Sequence, residues 1–276
     1  MLNAKTPNGV QKRSVSAAAG RQMPTPWGVF GKLMRVVLGF AFFLLAWDVL
    51  VRLLDIPPFM LPGPMKVLDA FQARGWFLLE HAAITAQETV LGFILGVFAG
   101  TLIAVAMWLF PLARRGLLPM ILITQALPVF AIAPILVLWL GFGLASKIVM
   151  AVLVIFFAVT STFYDGLRRA DPGYSDLAKL YRVGRWKELI YFRFPAALSA
   201  LASGIRIAAV FAPIGAIVGE WVGAKGGLAF IMLQSNARMQ TDMMFAALIL
   251  LALMVLTLRY TVERLTTLMV PWQVEE

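Results

Sequence analysis

Few residues in this 276-residue chain are equipped for covalent chemistry. It has one histidine, His81, and no cysteine. That removes disulfides, thiolate nucleophiles and cysteine-ligated zinc or iron–sulfur centres. A catalytic triad, a multi-histidine metal site and an H-E-x-x-H motif are excluded, or nearly so. A phosphate-cradling G-x-x-x-x-G-K-[ST] loop is also missing, because Gly223-Ala-Lys-Gly-Gly has neither its spacing nor its hydroxyl. The chain therefore cannot hydrolyse ATP by itself. What remains are ionisable side chains in apolar surroundings, where such a group lines a pathway or forms a pair. Arg206 lies about 16 Å along a helix beyond Pro195, at bilayer mid-depth, and fits either use, with Asp48 as a candidate partner. Glu220 closes an apolar run, where it could contact an outside partner or gate an exit, while its neighbour Trp221 reads as an interfacial anchor. His81 reads as a surface residue.

The elements that must position these residues are membrane spans. The composition is 61% hydrophobic and only 14% charged, an apolar excess that a water-soluble core of this size cannot hide. Runs long enough to cross about 30 Å of hydrocarbon appear near 36–54, 87–110, 117–140, 147–164, 196–219 and 243–262. The expected fold is all-α, a polytopic membrane protein of six transmembrane helices. With the N-terminus inside, the whole net charge of +10 falls on the cytoplasmic pieces, as the positive-inside rule requires. Topology thus accounts for the basicity, and no nucleic acid is invoked. The reading places 1–35 as a basic cytoplasmic tail and lead-in, 36–265 as the six-span domain, and 266–276 as a cytoplasmic C-terminal tail. A cleaved signal peptide is a poor account of the first run, which is followed by Asp55-Ile-Pro-Pro.

Two runs are unusual. The second carries Gly92, Gly96 and Gly100, a face stripped of side chains so that another backbone can approach; packing within the subunit is its simplest use. The third carries Pro119, Pro128 and Pro134, predicting a kinked helix beside a water-filled route. The 30 residues from Asp165 to Phe194 are too long for a plain connector. Pro172-Gly173 starts a helix there, Ser175 or Asp176 can cap it, and Pro195 ends the segment at the membrane face. Leu177, Leu180 and Tyr181 share one face, and Trp186, Leu189 and Ile190 repeat the pattern. Two short amphipathic helices are expected, suited to lipid or to a groove on a partner protein.

The stretch Asp176-Leu-Ala-Lys-Leu-Tyr-Arg-Val-Gly-Arg-Trp, ending in Phe194-Pro195, resembles the E-A-A…G…L-P loop of ATP-binding-cassette importer permeases. Asp176 stands at the Glu position, Ala178 at the second Ala and Pro195 at the closing Pro. Leu177 replaces the first Ala, and Arg182 stands where the family usually has Gly; Gly184, two residues later, is a candidate to take over the turn. Leu61-Pro-Gly-Pro64, Pro128 to Gly143, Gly204-Ile-Arg206-Ile-Ala and Pro213 to Gly223 are similar to the sulfonate/taurine/nitrate-type group. Asn236 to Asp242 and Met244-Phe-Ala-Ala look most like permeases for thiamine-pyrimidine precursors.

The resemblance implies a binding-protein-dependent importer subunit in a bacterial inner membrane, with both termini cytoplasmic. Its solute would be small and organic: a hydroxymethylpyrimidine-type thiamine precursor, a sulfonate or a nitrate-like anion. The implied partners are a cytoplasmic ATP-binding subunit, an extracytoplasmic solute-binding protein, a second copy of the chain, and lipid. ATP and Mg would sit on the partner, leaving no cofactor or metal in this chain. Coupling would fall to Asp176, Ala178, Arg182, Gly184, Arg185, Trp186 and Pro195, and the route to Pro128, Pro134, Arg206 and Glu220. The alternatives are an ATP-independent secondary transporter or channel, which calls for intramembrane carboxylates or an internal repeat, and a membrane-embedded enzyme, which calls for a polar cluster at helix ends.

Overall fold

The computed structural model describes residues 26–271, and every regular element among them is helical. The described residues fall into two units, one ending at Leu50 and one beginning at Val51. Helix α1 (Pro26–Leu53) covers the first predicted run and makes up the described part of the first unit. The rest of the proposed N-terminal tail, and the last residues of the C-terminal one, lie outside the described residues.

The second unit comprises α2 (Pro64–Leu109), α3 (Pro111–Ala126), α4 (Val129–Leu140), α5 (Leu144–Arg169), α6 (Pro172–Leu180), α7 (Arg185–Glu188), a π-helical turn (Leu189–Arg193), α8 (Phe194–Gly223), α9 (Leu228–Ala237) and α10 (Thr241–Met269). Four helical stretches in it are long and apolar enough to cross a membrane, or five if the α3–α4 pair forms one span. Helix α2 begins far ahead of its apolar run, so most of the loop expected between the first two spans is helical; it bends at Arg74, whose backbone leaves helical geometry.

The third run is not one kinked helix. Helices α3 and α4 meet at 105°, and the break falls at Leu127-Pro128, both in extended backbone. Proline forces its predecessor out of helical geometry and has no N–H to continue the ladder. Pro119 and Pro134, by contrast, are carried inside their helices.

Helix α5 is the centre of the packing, with Ile155, Val159, Phe163 and Leu167 fully buried. Its neighbours α2 and α8 reach it through glycine. A Cβ at Gly92 would strike Ala151, one at Gly96 would lie 2.5 Å from Ile155, and one at Gly100 2.7 Å from the Phe156 carbonyl. The glycine face of α2 thus serves packing within the chain, and Thr160 Oγ1 adds a hydrogen bond to the Gly100 carbonyl at 3.1 Å. On the other side Gly204, Gly215 and Gly219 press on Val159, Ala151 and Lys147. Small residues let helix backbones approach where lipid supplies no hydrophobic drive.

Candidate functional site

Two polar constructions stand at opposite ends of the α5–α8 pair. The first is the connection between α5 and α8. Helix α6 is capped by Asp171, whose side chain accepts from the Gly173 amide at 2.8 Å, so the cap precedes the predicted Ser175 or Asp176. Asp176 is exposed and pairs with Lys179 one turn on, at 3.1 Å. Ala178 is buried. The helix ends in a Schellman arrangement: the Val183 amide donates to the Ala178 carbonyl at 2.8 Å and the Arg182 amide to Lys179 at 3.0 Å. The left-handed residue this motif needs is Arg182, at φ +51°. Gly184 does not take over the turn; its φ is −67°. Position 182 thus has the conformation for which glycine is the default.

The second predicted amphipathic helix is not a separate element. Helix α7, the π turn and α8 form one continuous stretch, Arg185–Gly223. Pro195 lies within it instead of ending it, immediately after the π turn, where the Phe194 amide reaches back to Leu189. Because the proline lacks an N–H and crowds the carbonyl four residues back, the wider turn absorbs what would otherwise be a break. As a consequence Leu189 points into the core, while Trp186 and Ile190 stay exposed.

The connection is anchored at its base. Arg185 Nη1 donates to the Leu109 carbonyl of α2 at 3.1 Å. Arg193 donates to the Leu167 carbonyl of α5 and to Glu188, each at 2.8 Å, and its guanidinium lies 5.1 Å from the Trp108 ring centre. Above this base Leu180 (77% exposed) and Tyr181 (73%) face outward, with Leu177 and Trp186 also exposed. Arg193 was not singled out from the sequence, because a basic residue at a span end is what topology alone predicts.

The second construction closes the far end. Glu220, 1% exposed, folds under the N-terminus of α9. Its carboxylate accepts from the Ala229 amide at 2.7 Å, the Phe230 amide at 3.3 Å and Thr85 Oγ1 at 2.6 Å. The Leu228 amide donates to Thr85 Oγ1 at 2.8 Å, and the Gly227 amide to His81 Nδ1 at 2.9 Å. Four amides at this helix start are thereby satisfied by three side chains. Gly227 stands at φ +113°, and any Cβ there would collide with the Glu220 carboxyl. His81 is no surface residue: it is half-buried, edge-on to Phe77 with ring centres 4.5 Å apart.

Next to Glu220 is an ion pair that the sequence did not disclose. Lys147 Nζ meets Glu88 Oε1 at 2.5 Å, with Glu88 only 1% exposed. Each stands at the first turn of an apolar run, where a charged residue reads as the interfacial end of a span. Glu88 and Glu220 thus join Asp48 as carboxylates within or at the ends of apolar helices, and both are buried. The buried carboxylates expected of an ATP-independent transporter are present, but they are committed to a helix cap and an ion pair.

Of the residues predicted to line a route, Pro128 and Pro134 lie exposed along the broken α3–α4 pair. Arg206 is half-buried and its Nε donates to Thr266 Oγ1 of α10 at 2.8 Å; Asp48 lies in the N-terminal unit. Glu220 is turned inward and fully engaged. Trp221 is partly exposed and stacks on Phe130 of α4 at 6.0 Å. The structure brings Asp176, Ala178, Arg182, Gly184, Arg185 and Trp186 into one connection and leaves the four route residues apart from it.

The fold is thus a packed all-helical membrane domain whose α5–α8 connection is anchored at its base and apolar on its exposed side. Residues 92–274 match the family described as binding-protein-dependent transport system inner membrane component, and the chain belongs to that family, as a multi-pass inner-membrane permease of ABC importers. A probable ABC transporter permease protein of Haemophilus influenzae is 43% identical over 84% of this chain and 95% of its own length. The formylaminopyrimidine transport permease protein ThiX of Halalkalibacterium halodurans is 30% identical over 86% of this chain and 94% of its own. Among solved structures, an inward-facing chain of the MetNI methionine ABC transporter shares the fold, with TM-score 0.63, 18% identity, and coverage of 71% of this chain and 98% of that one.

Proposed function

We propose that the chain forms the translocation path through which a small organic solute enters the cytoplasm, driven by ATP and Mg bound on a separate subunit that seats against the α6–α7 connection. The observation that carries this reading is the exposed apolar group Leu177, Leu180, Tyr181 and Trp186, held on a base tied to α2 and α5 through Arg185 and Arg193. An amphipathic helix with its apolar side open is a helix-in-groove ligand, and a rigid base passes its displacement to the spans. Asp176, Ala178, Arg182, Gly184, Arg185 and Trp186 form the seat, and Pro195 follows the π turn that links it to α8. A solute-binding protein delivers from outside, a second copy of the chain completes the path, and both termini face the cytoplasm. Pro128, Pro134 and Arg206 lie toward the route, whereas Glu220 supports it from behind. Similarity to a formylaminopyrimidine permease favours a pyrimidine precursor as the solute over a sulfonate.

The test is affinity purification of the full chain co-expressed with a candidate ABC-importer ATP-binding subunit. The expected result is a stable complex, lost in Leu180→Asp and Asp176→Lys, with unchanged membrane levels of the permease. Recovery of the chain alone, together with solute flux in liposomes lacking ATP, would reverse the proposal.

A further inference from the structure

Where α2 gives way to α3, a cavity of about 420 Å³ is lined by Pro111, Arg114, Arg115, Leu118 and Pro119. A smaller one, about 150 Å³, adjoins it through Arg114 and Leu118 and is bounded by Tyr164, Asp165 and Arg168 of α5. Two arginines, Arg114 and Arg115, thus line the larger cavity with no carboxylate among its lining residues, and Arg114 also lines the smaller one together with Arg168 and Asp165. Arg114 and Arg168 both lie against the Tyr164 ring, 5.9 and 5.8 Å from its centre, which holds their planes in place. Among the described residues no carboxylate forms an ion pair with Arg114, Arg115 or Arg168. Pro119 adds an acceptor, because it has no N–H to give the Arg115 carbonyl one turn back.

We propose that this cavity binds the headgroup of an anionic phospholipid of the phosphatidylglycerol type. Guanidinium groups match phosphate oxygens in paired geometry, and basic pockets at helix ends in a membrane take lipid headgroups. The phosphodiester sits between Arg114 and Arg115, and a headgroup hydroxyl donates to the Arg115 carbonyl. Soluble phosphate shares the anionic chemistry, but the site continues into an apolar flank. Leu118 and Leu122, one turn apart on α3, are exposed and extend from the cavity along the helix as a track for acyl chains. The proposal needs only a membrane-embedded chain and is independent of the ATPase reading.

Native mass spectrometry of the purified full chain, without any ATPase subunit, tests it with dioctanoyl-phosphatidylglycerol, dioctanoyl-phosphatidylcholine and inorganic phosphate as probes. The expected result is one saturable phosphatidylglycerol adduct, favoured about tenfold or more over phosphatidylcholine and not displaced by equimolar phosphate. Arg114→Gln/Arg115→Gln should lose that preference, and Arg264→Gln, at an exposed position on α10 that lines neither cavity, should keep it. If the double variant does not fold, Arg115→Gln alone should weaken the adduct about fivefold. Equal binding of the two lipids, displacement by equimolar phosphate, or a preference that survives removal of the arginines would each overturn it.

Discussion

The two ends of the α5–α8 pair solve opposite problems. At the Glu220 end, charge is taken inside: two carboxylates and one ammonium are buried within electrostatic reach of one another, and helix α9 is locked down through its first amides. At the Arg182 end, apolar surface is left outside, and a helix terminates on a left-handed residue without a glycine. A buried ion pair contributes little net stability, yet removing one partner is costly. Such a network therefore defines an arrangement more than it strengthens it. An exposed apolar helix contributes nothing until something covers it. The first end pins α2, α5, α8 and α9 together through these contacts, and the second is, on the function proposed above, the handle.

Breaking the pin should have the largest consequence. Lys147→Met leaves Glu88 buried without its partner and should lower folded stability by about 3–5 kcal/mol, read as thermal aggregation of the full chain in detergent. Adding Glu88→Leu should restore stability to within about 1 kcal/mol of the parent, because an apolar pair of similar volume replaces the ion pair. A double variant as unstable as Lys147→Met would show that the pair is not the determinant. The cap at Glu220 should matter less. Glu220→Ala strands the Ala229 and Phe230 amides and should cost about 2–3 kcal/mol, whereas Glu220→Gln retains a carbonyl acceptor and should cost about half as much. Equal losses in both would mean that negative charge, not hydrogen bonding, holds α9 in place.

The sequence made the handle easy to see and the pin hard. Apolar runs of span length announce themselves, and the amphipathic face around Leu180 and Tyr181 repeats with helical period, so all-helical architecture and the long connection were legible. His81 and Thr85 are polar residues upstream of a span, Glu88 stands at its first turn, and Lys147 is a lone cation after a Gly-rich turn; each alone looks like the chemistry of a span end. Only the fold shows that α2 begins at Pro64 and carries these residues alongside the α8 end. The bends were half legible. Pro128 marks a break because its predecessor must leave the helix. Pro195 looked like a stop, but a π turn, a length adjustment with no compositional signal, lets the helix run through.

The smallest effect belongs to Arg182, and it separates strain from charge at the handle. A non-glycine residue in left-handed backbone costs about 1–2 kcal/mol, while glycine loses about 0.5–1 kcal/mol more chain entropy on folding. Arg182→Gly should therefore stabilise the end of α6 by about 0.5–1 kcal/mol. Arg182→Ala removes the same charge but keeps the unfavourable backbone, so the difference between the two variants isolates the turn. The reporter is hydrogen exchange at the Val183 amide, bonded to the Ala178 carbonyl at 2.8 Å; 1 kcal/mol corresponds to about fivefold slower opening. Slower exchange in Arg182→Gly than in Arg182→Ala is expected. Identical exchange in the two would mean that the backbone at position 182 carries no strain, and that the arginine is kept for what its guanidinium meets outside the chain.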